Sequence, residues 1–365
     1  MSMAAYRKTP AATTDNARID EALAGNLCRC TGYAPIVRAM KQAMAAGADR
    51  FDAEVEAITK RLESLQDSET VCLAGPGGKL TIPADSNALS QAFLDDPSAT
   101  IVAGATDVGL WVTKGMRTLP HIISIGRVPD LRVMEHTAAG LKIGAAVTYQ
   151  EARPAIAALL PDAGEMIRRL GSTQVRNSAT VCGNIANGSP IGDGPPMFIA
   201  AGATLHLRRG EVRRALPLEA YFVAYGKQDR QPGEFVEAVT IPALSARTQF
   251  RAYKVSKRFD QDISAVLGAF ALEIDDASVV ISARFAFGGM AATPKRAVLA
   301  EAAVTGRGCD EDAIAAEREA IAMDFTPLTH RRASDWYRRA AAANLQTSLS
   351  VAPHHGAPAC PATRS

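Results

Sequence analysis

The sequence predicts an α+β protein built from several units. Three observations carry that prediction. The chain has 365 residues, enough for two or three domains. Strand-like apolar runs alternate with helical patterns from about Leu80 onward, and Gly and Pro punctuate the joints. Residues 49–77 are highly charged and read as a helix and loop linking a helical N-terminal segment to that mixed region.

Residues 1–48 begin polar and turn helical. Ile19, Leu23 and Leu27 share one helix face, and Pro35 opens a second helix through Met44 with Ile36, Met40 and Met44 on one side. Between them stands Gly25-Asn-Leu-Cys-Arg-Cys-Thr-Gly-Tyr33. Cys28 and Cys30 there have two readings: two small buried residues, or half of an iron–sulfur ligand set. Gly75-Pro-Gly-Gly-Lys79 lacks the spacing of a phosphate loop and reads as a turn.

From Leu80 the elements follow one another closely. Leu80-Thr-Ile-Pro83 is strand-like, and Ser86 is the expected N-cap of a helix to Phe93. A buried strand, Thr100 to Ala103, runs through a Gly turn into a helix carrying Val108, Leu110, Trp111 and Val112. Such a corner offers free N–H groups at a helix N-terminus, which suits phosphate. His121 to Ile125 and Leu141 to Val147 read as strands. Thr148 and Glu151 form a capping box, and a helix from Ala163 to Leu170 follows.

Thr180 to Pro196 holds four Gly, three Pro and two Asn, with no Lys or Arg. A stretch this rich in Gly and small polar groups brings backbone N–H groups close to a ligand. It reads either as such a binding loop or as a long surface loop with turn chemistry. Helix and strands continue through Leu218, with Arg208, Arg209, Arg213 and Arg214 expected at a solvated hairpin end. Residues 243–345 read as a smaller α+β unit. There a strand from Phe250 to Val255 precedes a polar turn, a second strand covers Val279 to Phe287, and Pro294-Lys-Arg296 starts a helix. The tail after Asn344 is unpatterned and expected to be disordered.

Composition narrows the functional classes. Net charge is only +2, so no nucleic-acid partner is expected. No apolar run approaches the roughly 20 residues that span a bilayer. Cys28, Cys30, Cys72, Cys182, Cys309 and Cys360 are irregularly spaced and form no evident disulfide framework, which fits a reducing cytoplasm.

Four stretches together resemble the molybdenum hydroxylase family, the xanthine dehydrogenases in particular. Thr180 to Pro196 resembles that family's second flavin-binding loop, A-T-x-G-G-N-I-A-N-G-S-P-I-G-D-x-x-P, with Cys182 in place of the first Gly of G-G-N. Ala103-Gly-Ala-Thr-Asp107 is similar to the first flavin-pyrophosphate loop, A-G-G-T-D, with Ala105 in place of the second Gly. Lys254 to Ser264 matches the K-x-S-K-R-F-D-Q-D-I-S loop. Gly25 to Tyr33 resembles the closing half of the second [2Fe–2S] domain; the earlier C-G-x-C pair falls ahead of Met1, so the expectation is a truncated or wrongly started frame.

The resemblance implies a fold in three parts. A partial all-α [2Fe–2S] domain would occupy 1–48 and a linker 49–77. A two-subdomain α+β FAD-binding domain of PCMH type would occupy 78–242. A small α+β C-terminal flavoprotein domain resembling that of carbon monoxide dehydrogenase would cover 243–345, with the tail at 346–365. It also implies site residues. Val102, Ala103, Gly104, Ala105, Thr106, Asp107, Val108 and Gly109 would hold the FAD pyrophosphate. Thr180, Gly183, Asn184 and Ser189 would line the second loop. Asp193 would hold a sugar hydroxyl. Val236 and Lys254 would contact the ring, and Leu170 stands where the family usually has a Phe packed on the flavin. Arg258, Asp260 and Asp262 would tune the flavin and admit NAD, and Cys28 and Cys30 would be metal ligands. No catalytic acid or base is implied on this chain. The implied role is the small iron–sulfur/flavin subunit of a xanthine dehydrogenase. It would pass electrons from a molybdenum-cofactor-binding large subunit, in an (αβ)₂ assembly, through FAD to NAD during purine oxidation. The alternatives are a non-catalytic remnant or scaffold, and the flavin subunit of a carbon monoxide or aldehyde oxidase relative.

Overall fold

The computed structural model describes residues 1–10, 12–26, 32–308 and 310–351, with side chains to residue 345. It is α+β throughout its larger part. Among the described residues no helix is long and apolar enough to cross a membrane.

The first sheet has four strands in the spatial order Val71–Gly75, Gly78–Ile82, His121–Ser124, Thr100–Val102. The first two form a tight hairpin in which Gly75 faces Gly78, so Pro76 and Gly77 make the expected turn. Val71–Gly75 is therefore a strand inside the stretch expected to be linker. Its pattern is mostly exposed, so it has no alternation to betray it. The other pairings are parallel, with helices Ser86–Asp95 and Val108–Thr113 in the connections. The N-cap of the first helix is Asp85, whose carboxylate accepts from the Ala88 N–H at 2.7 Å, and not Ser86. Both residues are good caps, and the extended backbone at Asp85 decides between them.

The second sheet is antiparallel, in the order Met134–Thr137, Gly140–Gly144, Phe235–Ile241, Thr204–Arg209, Val212–Pro217. Helices Tyr149–Leu159, Pro161–Arg169, Val181–Asn187 and Gly194–Ala200 complete this unit. Ile143, Leu205, Val239 and Ile241 of the sheet join Ile156, Ile167, Ile185 and Phe198 of the helices in one core, all fully buried. Each such side chain stabilises by about 1.5–3 kcal/mol relative to exposure. Leu89, Phe93 and Ile123 of the first sheet's unit belong to the same core, which fixes the two sheets against each other. The Thr148–Glu151 capping box is present with both of its bonds. Arg208 is not solvated: it is buried, donating to Gly210 O, Ser86 Oγ and Asn87 Oδ1.

The C-terminal unit is an antiparallel sheet, Thr248–Val255, Val266–Ile274, Val280–Gly288 and Lys295–Arg296, packed under helices Val298–Val304, Glu311–Asp324 and Asp335–Val351. Phe270 meets Phe285 and Phe287 edge-on at 5.5 Å, and Phe287 meets Phe325 at 5.3 Å. Lys295–Arg296 is a short strand and the helix starts only at Val298, later than expected. The last helix runs into the expected tail as far as Val351; residues beyond it lie outside the described ones.

The N-terminal segment is helical, Ser2–Arg7, Asn16–Leu23 and Tyr33–Ala45. Its second helix docks on the turn before Thr180. Thr173 Oγ1 donates to Glu21 O, Gln174 Nε2 to Ala22 O, and Arg176 Nη2 to Glu21 Oε1 at 3.1 Å. Cys28 and Cys30 lie outside the described residues.

Candidate functional site

A cleft of about 480 Å³ opens where the first sheet, the second sheet and the Thr180 segment meet. Its walls include Ala103 to Val108, Leu170, Thr180, Gly183, Asn184 and Val236. Two stretches some 75 positions apart in the chain are thus brought to one place. Five expected residues do not line it: Val102 ends its strand, Gly109 lies in the following helix, and Ser189, Asp193 and Lys254 lie beyond the second segment.

The first wall is the corner between Thr100–Val102 and Val108–Thr113. Among the described residues, no protein acceptor takes the N–H groups of Gly104, Ala105, Thr106, Asp107 or Val108. Exposed amides at such a corner suit an anion. Gly104 is required: a Cβ there would overlap the Ser178 carbonyl oxygen. This close approach locks the first wall onto the backbone leading into Thr180. Ala105 has φ +56, in the left-handed region. The family pattern puts Gly there, and the methyl group makes that conformation costly.

The second wall corrects an expectation. Thr180 to Pro196 is not one loop but two short helices, Val181–Asn187 and Gly194–Ala200, joined by a bend. Thr180 caps the first by accepting from the Gly183 N–H at 3.0 Å, and Gly188 ends it with φ +63. Pro195 and Pro196 sit in the first turn of the second, where a missing N–H costs nothing. Cys182 turns inward, is buried, and its thiol is pushed up to about 12 by burial. It is a packing residue with no tendency to form a thiolate.

Asp193 has a different employment from the one the resemblance implies. It is buried and accepts from Lys254 Nζ at 2.6 Å and from Ser264 Oγ at 2.5 Å. Both carboxylate oxygens are thus engaged by the C-terminal unit. The Lys254 side chain is buried in the same pair and does not line the cleft. The Ser189 hydroxyl accepts from the Ile191 N–H at 3.4 Å, within its own bend.

The Arg258–Asp262 turn is anchored from two sides. Arg169 donates to Phe259 O at 2.9 Å and lies 4.1 Å from the Phe259 ring centre, and Arg168 reaches Asp260 at 3.3 Å. Burial works to raise the Asp262 carboxyl. The Ile263 and Arg258 amides and the Arg258 charge outweigh it and hold the carboxyl below its ordinary range. Arg332 adds a bond at 3.0 Å. Arg168 and Arg169 precede Leu170 directly, so this turn sits beside the cleft.

The sequence reading missed several lining groups. Tyr149, Tyr221, Trp111, Val175 and Arg230 all border the cleft. Tyr149 is fully buried, and its hydroxyl donates to Asn184 Oδ1 at 2.9 Å. Burial, and after it the charge of Asp193, raises its ionisation far above the ordinary range, so it stays a donor. Arg230 is an exposed cation at the rim, donating to Glu234 O. Its position at the end of a turn carries no local signal of this role.

The cleft fits a dinucleotide: free amides at a Gly-Ala corner, a close-approach Gly, apolar walls and one rim cation. Which residues would hold FAD follows from that geometry: the amides of residues 104–108 for phosphate, and Asn184, Leu170 and Val236 for the remainder. Among the described residues no group of His, Cys, Asp and Glu could hold a metal ion.

Residues 76–244 match the family described as the FAD binding domain in molybdopterin dehydrogenase. Residues 251–349 match the CO dehydrogenase flavoprotein C-terminal domain, and residues 1–41 a [2Fe-2S] binding domain. Xanthine dehydrogenase 1 of Arabidopsis thaliana is 25% identical over 89% of this chain and 29% of its own length. The xanthine dehydrogenase/oxidase of Gallus gallus is 27% identical over 85% of this chain and 28% of its own. The chain thus spans under a third of the length of these relatives. A chain of carbon monoxide dehydrogenase from Hydrogenophaga pseudoflava, in a form lacking the Mo-pyranopterin moiety, superposes with a TM-score of 0.69. It is 25% identical, with 75% of this chain and 96% of that chain covered. Quinoline 2-oxidoreductase from Pseudomonas putida 86 shares the fold, with a TM-score of 0.67 at 22% identity.

Proposed function

We propose, from the premise that this chain belongs to the FAD-binding family of the molybdenum hydroxylases, that it is the flavin-bearing electron-transfer component of a molybdenum enzyme. The observation that carries the reading is the cleft itself. Unpartnered amides at residues 104–108 and the Val181–Asn187 helix line it together, and Gly104 packs on the Ser178 carbonyl with no room for a side chain. When bound, FAD supplies two-electron transfer to or from a hydride donor or acceptor. The protein's own residues bind and orient it: backbone amides take the phosphates, Leu170 and Val236 exclude water, and the Arg258–Asp262 turn borders the approach. No side chain of this cleft is required to move a proton.

The partner proposed is a molybdenum-cofactor-binding large subunit, in an (αβ)₂ assembly, with xanthine or hypoxanthine as the substrate oxidised there and NAD as acceptor. Xanthine dehydrogenases among the relatives support that choice. A second reading, the flavin component of a carbon monoxide dehydrogenase-like enzyme, is supported by the match that covers nearly the whole of a carbon monoxide dehydrogenase chain. The cytoplasm is the compartment that suits both. NADH added anaerobically to the purified flavin-loaded chain separates them at the acceptor: bleaching of the flavin band supports NAD, and an unchanged spectrum removes NAD from the proposal.

A further inference from the structure

Tyr149 lies outside both flavin-binding stretches, at the first helical position after the Thr148 cap. It is fully buried and borders the cleft. Its hydroxyl donates to Asn184 Oδ1 at 2.9 Å. The Asn184 side-chain amide therefore has its acceptor end turned to Tyr149. Among the described residues its Nδ2 has no protein acceptor, and Asn184 is itself a wall of the cleft. Gly194 secures the pair: a Cβ there would overlap the Tyr149 hydroxyl and crowd Asn184 Oδ1 at 2.8 Å. The Asn184 backbone is fixed as well, since its N–H donates to Thr180 O at 3.1 Å.

We propose that Tyr149 is a positioning residue that holds the Asn184 amide in one orientation, with its oxygen turned to Tyr149 and its Nδ2 left as the donor for a ligand in the cleft. An amide can present either end, and without the tyrosine both would be open to it. A fixed donor selects acceptor atoms on the ligand, the phosphate oxygens or ring carbonyls of the dinucleotide, and rejects a ligand N–H. This inference rests on the flavin reading above.

The test uses the full chain stripped of flavin and titrated with FAD, followed by quenching of flavin fluorescence. Tyr149→Phe keeps the ring and removes the hydroxyl; FAD binding should weaken about tenfold, the scale of one neutral hydrogen bond. Asn184→Asp keeps the shape and replaces the donor by an acceptor. Binding should fall about a hundredfold near pH 8 and recover as the pH falls, because the introduced carboxyl donates once protonated. A purely structural role would not produce that recovery. Wild-type affinity in Asn184→Asp at pH 8, or a loss that ignores pH, overturns the proposal. If Tyr149→Phe melts early, its titration is run at a temperature where circular dichroism shows it folded, and an unweakened FAD affinity there overturns the proposal. A folded wild-type chain that binds no FAD overturns the flavin reading and this inference with it, whereas FAD binding that both variants leave intact overturns the inference only.

Discussion

Ala105 offers the sharpest perturbation of the cleft. Its φ of +56 places a residue with a Cβ in the left-handed region, immediately after Gly104, which is pinned against Ser178. The Gly109 N–H donates to Ala105 O at 2.7 Å and helps hold the turn. A left-handed non-Gly residue costs about 1–2 kcal/mol. Replacing it by Gly removes that cost but returns roughly 0.5–1 kcal/mol as unfolded-chain entropy. The net expectation for Ala105→Gly is a chain about 0.5–1 kcal/mol more stable, with FAD held about two- to fivefold tighter as the bound-like turn becomes better populated. Ala105→Val should go the other way by about 2 kcal/mol, because a β-branched side chain tolerates this backbone worst. Urea unfolding with and without FAD measures both quantities. Unchanged stability and affinity in Ala105→Gly, together with a harmless Ala105→Val, would refute the claim that this turn is strained and shapes the cleft.

Other predictions follow from single contacts. Arg176 is buried and ties Glu21 to the backbone carbonyls of Arg168 and Gly171. Arg176→Ala should cost about 2–4 kcal/mol and expose the N-terminal helices to limited proteolysis; an unaltered digestion pattern would contradict the docking. Lys254→Met alone should cost about 3–5 kcal/mol by stranding Asp193, and Lys254→Met with Asp193→Leu should cost clearly less than the two single changes added together. Full additivity in denaturant unfolding would deny the pair. Asp96 is held at about 2 by the Ser98 hydroxyl, then by His121. Its folded value lies below the ordinary one, so its stabilisation is full above about pH 4 and is lost as the pH falls towards 2. Asp96→Asn should flatten the acid limb of the stability profile in that window. Cys182 should escape iodoacetamide at pH 8 in the native chain while exposed Cys72 reacts, read by mass spectrometry.

Much of the fold was legible because its signals are local. The Thr148–Glu151 box, the Pro76–Gly77 turn and the strand–Gly–helix corner at Thr100 to Val108 each lie within a few residues. So does the glycine demand at Gly104, although its cause, the Ser178 carbonyl, lies some 70 positions away. What escaped was long-range. Arg208 looked solvated in a run of arginines because Ser86 and Asn87 reach it from over 120 positions earlier. Tyr149 carries no local signal of its role, because its partner is 35 positions on. Thr180 to Pro196 looked like a loop because Gly and Pro are counted as breakers; here they end one short helix and begin another. Asp193 and Lys254 carried a match to flavin contacts, and the structure shows them bonded to each other, a pairing that no spacing rule connects.

The central claim is that the cleft between residues 103–108 and 180–187 is a flavin site. The most direct test is to purify the full chain, denature it, and identify and quantify any released chromophore by chromatography and visible absorption, with Gly104→Ala alongside. The account predicts FAD close to one per chain from the wild type and little or none from a folded Gly104→Ala, whose methyl group would force the first wall away from Ser178. A folded wild-type chain that releases no flavin and takes up none when FAD is added would contradict it.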